Sequence, residues 1–199
     1  QTAPLRWCAY LTNGSVQKLA SDPAALEKAP QLLKALNISK VYLEFFRQTS
    51  VSNDDVKKVS GALTQQGFEI AGGIATLPGE NYGVREDAKL GWFNWQAQKT
   101  RDDVAKVMST AAPLFSEIIV DDFFCTGDMS AESVAAKGEL PWGDYRRALM
   151  VQAAQQSIIV PAKSANPTVT LIMKFPQWYD RFHEFGYDVP AESAMFDRI

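Results

Sequence analysis

The sequence predicts an α/β fold, a TIM-type (β/α) barrel that is incomplete, with about five βα units in a single domain over residues 1–199. Three observations carry this expectation. A β-forming run followed by a helix-patterned run recurs five times, which argues a parallel sheet with right-handed crossovers. No Gly-rich phosphate loop of the GxGxxG or GxxxxGK(S/T) type follows an early strand, which removes the strongest sign of an open nucleotide-binding sheet. Polar and charged residues gather instead at the C-terminal ends of the predicted strands: Asn13, Glu44, Arg47, Asp121, Asp122 and Lys174. That is the face on which barrels carry their functional residues.

Taken in order, "RWCAYLT" (Arg6 to Thr12) is the first strand, and a helix start follows at Ser21 or Asp22 with Pro23 in its first turn. "KVYLEFF" (Lys40 to Phe46) is the second strand. Its helix is announced by capping residues between Ser52 and Asp55, carries Val56, Val59 and Leu63 at helical spacing, and ends at Gly67. "FEIAGGIATLP" (Phe68 to Pro78) is the third strand, where Gly72 and Gly73 allow a bulge or the close approach of another backbone. After a long polar and aromatic loop, a helix begins with Thr100 as N-cap and sets Val104, Val107 and Met108 on one face. The fourth strand lies in "EIIVDDFFCTGD" (Glu117 to Asp128), and its helix runs over about 143–163, bent or broken near Pro161. "TVTLIMKFPQWY" (Thr168 to Tyr179) supplies the fifth strand, and "PAESAMFDRI" starts one more helix.

Complete barrels take about 250 residues, so five units leave about three to be found. The chain reads either as the N-terminal portion of a larger barrel or as a smaller α/β domain that closes its edges in another manner. The first reading predicts an exposed strand at each sheet edge, and with it a route to self-association.

Composition excludes several function classes. Twenty Lys and Arg stand against 23 Asp and Glu with the signs scattered, so no basic stripe exists to track nucleic acid. No apolar run reaches the roughly 18–20 residues of a membrane span. The start at Gln1 in "QTAP" suits a chain whose signal peptide has been removed, which predicts a secreted or periplasmic protein. Cys8 and Cys125, expected on different strands, form neither a disulfide framework nor a zinc spacing. No cofactor motif is present, and no metal site is expected; oxygen-only ligation through Asp121, Asp122 and Asp128 is the one arrangement left open.

The adjacent pair Asp121 and Asp122 carries the strongest chemical signal. Side chains of consecutive strand residues point to opposite faces, a rule that loosens at a strand terminus. Two nearby carboxyls resist double ionisation, so one stays protonated as a donor near neutral pH. One protonated and one charged carboxyl are the equipment for cleaving a glycosidic bond. Capping of the next loop, or simple charge pairing, is the plainer alternative. Glu44 lies among apolar residues and needs a partner, with Arg47 or Lys174 the candidates, and Glu44 joins the two aspartates as a candidate catalytic group. Lys174 suits either a substrate hydroxyl or the balancing of the aspartates. Trp92, Trp95, Trp142, Trp178 and Tyr179 fall in loops of the same face. Aromatic rings there suit stacking on sugars, or else pack loops onto helices. His183 reads as a surface or packing residue.

"EIIVDDFFCTGD", "WGDYRRALM", "PAKSANPTVTLIMKFPQWYDRFHEFGYD" and "FDRI" together resemble a group of bacterial, secreted, glycoside-hydrolase-like (β/α)8 barrels, over about Ile118 to Ile199. The resemblance implies an oligosaccharide or polysaccharide substrate and a barrel that continues past Ile199. The aspartate pair after strand four is also similar to that of O-GlcNAc-type hexosaminidases, where one aspartate is acid and base and its neighbour steers the substrate's acetamido group. Carried over, this makes Asp122 the donor and Asp121 the polarising group, or the reverse. A carbohydrate-binding or scaffold protein that keeps the cleft without the chemistry is the alternative.

Overall fold

The structure, a computed structural model, describes residues 6–199. Five parallel strands form the sheet in the order β1 (Trp7–Leu11), β2 (Ile38–Arg47), β4 (Glu69–Ala75), β5 (Glu117–Val120) and β6 (Thr170–Met173); β3 (Thr49–Ser50) folds back antiparallel on the end of β2. Each parallel step is made by a helical crossover. These are α1 (Asn13–Ser21) and α2 (Pro23–Ala35), then α3 (Asn53–Gln65), then α4 (Gln98–Ala111), then α5 (Ala131–Lys137) with α6 (Trp142–Ala153) and α7 (Val160–Ala165). The short helices α8 (Phe182–Phe185) and α9 (Val189–Met195) follow β6.

Strand parity divides the sheet into two chemically distinct faces. Leu43, Gly72, Ile118 and Leu171 stand in one register row and face the helices, where Val59 and Leu63 of α3, Met108 of α4 and Met150 of α6 complete a dry core. The opposite face carries Tyr10, Tyr42, Ile119 and Ile172, all half-buried, with ionisable residues at both ends of the strands. At the N-terminal ends Glu117 takes Lys40, Tyr42 and Arg198, while Lys40 and Arg6 share Glu69. The outer edge of β6 is met by Arg198, whose N–H and carbonyl bond to Leu171 and Met173, so residues 196–199 turn away from the helix expected there.

Several local expectations are corrected. Gly72 and Gly73 face aromatic rings and not another backbone: a Cβ would come within 2.5 Å of the Phe115 ring at Gly72 and 2.6 Å of the Tyr10 hydroxyl at Gly73. The bulge lies instead in β2, between Glu44 and Phe46. Helix α4 begins before Thr100, because Asn94 accepts from the N–H groups of Gln96 and Ala97, and the buried Thr100 hydroxyl accepts from Val84 N–H. Helices α6 and α7 are one rod, joined by a π-helical stretch Ala154–Ile159. The wider turn relieves the i−4 bonding that Pro161 cannot make. Cys125 sits buried in the loop after β5 and not on a strand. Helix α1 had no counterpart in the sequence reading. It is capped by Thr12, whose hydroxyl accepts from Ser15 N–H, and only Val16 and Ala20 of its residues are buried.

Candidate active site

Four strand ends bring the candidate residues together. The β2 bulge is decisive for the first two: in a regular strand residues three apart face opposite ways, whereas here Glu44 and Arg47 share the inner face. Arg47 Nε donates to both Glu44 oxygens at 3.1 Å, Tyr10 Oη donates to Oε1 at 2.9 Å, and the first N–H of α1, on Asn13, donates to Oε2 at 2.8 Å. Glu44 is 0% exposed and its acceptors are taken. Glu44, expected as a candidate catalytic group, is here the carboxylate to which Arg47 and Tyr10 are bound. Burial, then the Glu44 charge, push the Tyr10 phenol far above its ordinary range.

Asp121 continues the β5 ladder by one bond, its N–H donating to Ile74 O at 2.8 Å, so its side chain keeps the inward parity of Ile119. The chain then turns tightly, with Phe123 N–H on Asp121 O at 2.8 Å. That turn is why the Asp122 carboxyl does not diverge. Lys174, carried at the end of β6 by its N–H bond to Val120 O, places Nζ 2.8 Å from Asp121 Oδ1 and 3.3 Å from Asp122 Oδ2. Arg47 reaches Asp121 Oδ2 at 3.6 Å and lies over the Phe123 ring at 5.2 Å. The buried Tyr187 donates its hydroxyl to the Asp122 carbonyl at 2.7 Å.

The two aspartates therefore sit in unlike surroundings. Asp121 is fixed by Lys174, Arg47 and the Asp122 N–H. Burial, and then the negative charge of Asp121, push the Asp122 carboxyl above the ordinary carboxylate range, with Lys174 opposing. Burial alone would lower the Lys174 ammonium, but hydrogen bonding to Asp121 and the charges of both aspartates hold it up. A cleft of about 390 Å³ opens in front of Asp121 and Lys174, walled by Tyr10, Tyr42 and Ile119 and lipped by Cys8.

The aromatic candidates separate. Trp92 and Trp178 are half-buried and stack on one another, whereas Trp95 is 0% exposed, packed between Phe93 and Phe124 with its indole N–H on Cys125 O at 3.2 Å. Trp95 is thus a core residue with no face free for a ligand, which corrects its assignment to substrate. Tyr179 is 78% exposed, and Trp142 packs on Tyr145 under Lys137 and Arg146. Asp128 binds loop groups: Asp87 N–H at 2.7 Å and the Ser130 hydroxyl at 2.6 Å. Among the described residues no three His, Cys, Asp or Glu side chains are grouped to ligate a metal. His183 is exposed on α8. Tyr10 and Tyr187 were missed by sequence reasoning. Tyr10 could have been found from its parity with Cys8 on a strand ending at the site; nothing local marks Tyr187.

The family model described as "Probable glycosyl hydrolase, catalytic domain" matches residues 1–199. The chain belongs to this family. An uncharacterised protein of Saccharolobus solfataricus is 26% identical over 96% of the chain, which spans 36% of that relative's length. Among solved structures, the GH20 exo-β-N-acetylglucosaminidase of Vibrio harveyi superposes with TM-score 0.52 at 11% identity over 84% of this chain and 35% of that one. An α-amylase of Lactobacillus plantarum gives 0.51 at 10% identity over 96% and 51%. A hypothetical protein of Ruminiclostridium thermocellum gives 0.54 at 14% identity over 83% and 96%. These likenesses establish the barrel-type α/β fold, of which the chain forms the five-stranded part described.

Proposed function

We propose that the site hydrolyses a glycosidic bond, with Asp122 as proton donor to the leaving oxygen. The observation that carries this is the asymmetry of the pair: two adjacent carboxyls, one pinned by two cations, the other half-buried and pushed toward its protonated form. In the step, the Asp122 proton passes to the glycosidic oxygen as that oxygen takes the electron pair of its bond to the anomeric carbon. The charge left on the sugar develops beside Asp121, whose orientation Lys174 and Arg47 fix, and a water that adds to the anomeric carbon and gives its proton to the Asp122 carboxylate completes the hydrolysis. Glu44 acts through Arg47 and Tyr10 as a positioning residue.

A second carboxylate across the sugar would ordinarily stand about 5–9.5 Å from the first. The adjacency of Asp121 and Asp122, with Glu44 enclosed, favours the substrate-assisted variant in which the sugar's own 2-acetamido oxygen attacks the anomeric carbon and Asp121 polarises the amide N–H. Hydrolysis of 4-nitrophenyl glycosides with and without the 2-acetamido group, by the parent, Asp122→Asn and Asp121→Asn, tests both levels. Equal rates in all three proteins would remove the aspartates from the reaction. A site that releases nitrophenol only from 2-acetamido substrates supports the assisted route, and binding without turnover supports a lectin-like role.

A further inference from the structure

Trp92 and Trp178 come from different loops, after β4 and after β6, yet their indoles are parallel to within 3° with centroids 6.0 Å apart. Phe185 of α8 meets both edge-on at 5.3 Å, so neither ring is free to turn. The loop bearing Trp92 is anchored from beneath: the buried Glu86 carboxylate accepts Trp92 N–H at 3.2 Å and Gly127 N–H at 2.7 Å, tying it to the loop that follows Asp122. Arg146, also buried, donates to Gly127 O, Asp128 O and Glu184 O, which fastens that same loop to α8. Burying charge is costly and is repaid only where geometry is held. Here what it holds is a rigid pair of half-exposed indoles, beside an open cleft of about 260 Å³ that Leu90 and Arg181 complete.

The cleft and the aspartate pair are joined through the interior by the buried Tyr187. Tyr187 packs its ring on Trp178 with centroids 5.6 Å apart and puts its hydroxyl on the Asp122 carbonyl, so a single tyrosine side chain spans the two places. A half-exposed aromatic ring with a polar rim suits the apolar face of a pyranose ring. Arg181 supplies the rim, lying 4.9 Å over Phe185 and neutralised by Glu184 at 2.7 Å, which favours uncharged sugars over acidic ones. We infer that Trp92 and Trp178 together form a distal sugar subsite, and that the ligand is therefore a neutral oligosaccharide of several pyranose units and not a mono- or disaccharide. The inference rests on the aspartate pair marking where the glycan is held, and it is separable from whether the glycan is cleaved.

Isothermal titration of Asp122→Asn protein with cellohexaose, chitohexaose and maltohexaose, and with the matching disaccharides, tests it. At least one hexasaccharide is expected to bind about tenfold or more tightly than its disaccharide, and Trp178→Ala or Trp92→Ala to remove that advantage while leaving disaccharide binding unchanged. Trp178→Phe, which keeps a ring, is expected to retain part of it. Hexasaccharide affinity unaltered in both alanine variants, hexa- and disaccharide binding of equal strength, or no hexasaccharide binding at all overturns the subsite. A parent that shows the length preference yet releases no product sinks the hydrolase proposal alone.

Discussion

Lys174 Nζ lies 3.3 Å from Asp122 Oδ2 while its closer bond, 2.8 Å, goes to Asp121. This ammonium at the end of β6 thus favours the ionised form of Asp122, opposing the burial that favours its protonated form. Lys174→Met removes that opposition, so Asp122 holds its proton to higher pH. If Asp122 is the donor, the basic limb of the pH–rate profile moves upward. A limb that stays in place or moves down in this variant would contradict the pairing.

Gly73 tests the Tyr10–Glu44 bond. A methyl group there meets the Tyr10 hydroxyl at 2.6 Å, so Gly73→Ala drives Tyr10 from Glu44 and is expected to cost about 1–3 kcal/mol in urea denaturation. Gly61→Ala, in α3 with nothing within 4 Å, is expected to stabilise by about 0.5–1 kcal/mol. Equal effects at the two positions would show that Tyr10 is free to move aside.

Two tryptophans from the site-face loops should respond oppositely. Trp95→Ala empties a fully buried site between Phe93 and Phe124 and is expected to destabilise by about 3–5 kcal/mol. Trp178→Ala is expected to cost well under half as much and to act on glycan binding. Chemical denaturation of both variants decides between core and ligand roles.

Glu192 predicts a pH dependence of stability. It is 0% exposed and neither oxygen finds a partner among the described residues; burial, then Asp188, push it from 4.5 up to about 8. Between those values the folded chain binds a proton that the unfolded chain has released, so stability falls as pH rises through the window. The fall is on the order of 3–5 kcal/mol and is complete above about pH 8. Glu192→Gln is expected to flatten the curve between pH 4.5 and 8. An unchanged slope in this variant would assign the dependence to other groups.

The five strands and the convergence of Glu44, Arg47, Asp121, Asp122 and Lys174 were legible because period and position along a strand are local properties. What was hidden depended on tertiary context. The bulge between Glu44 and Phe46 has no composition of its own, and it alone lets Glu44 and Arg47 meet. Trp92 and Trp95 stand three residues apart in one loop and differ only in what folds over them. Helix α1 escaped because only Val16 and Ala20 mark its buried face, yet it supplies a backbone donor to Glu44. The Tyr187 hydroxyl reaches Asp122 across 65 positions of sequence.

The central claim, that Asp122 donates a proton to the leaving oxygen, is tested most directly by varying the leaving group. Parent and Asp122→Asn proteins are compared on one glycone bearing a 2,4-dinitrophenyl group, which needs no acid to depart, and a methyl group or sugar, which does. The account predicts a loss in kcat/KM of about 10²- to 10⁴-fold on the poor leaving group and a small loss on the activated one. Losses of equal size on both would contradict it.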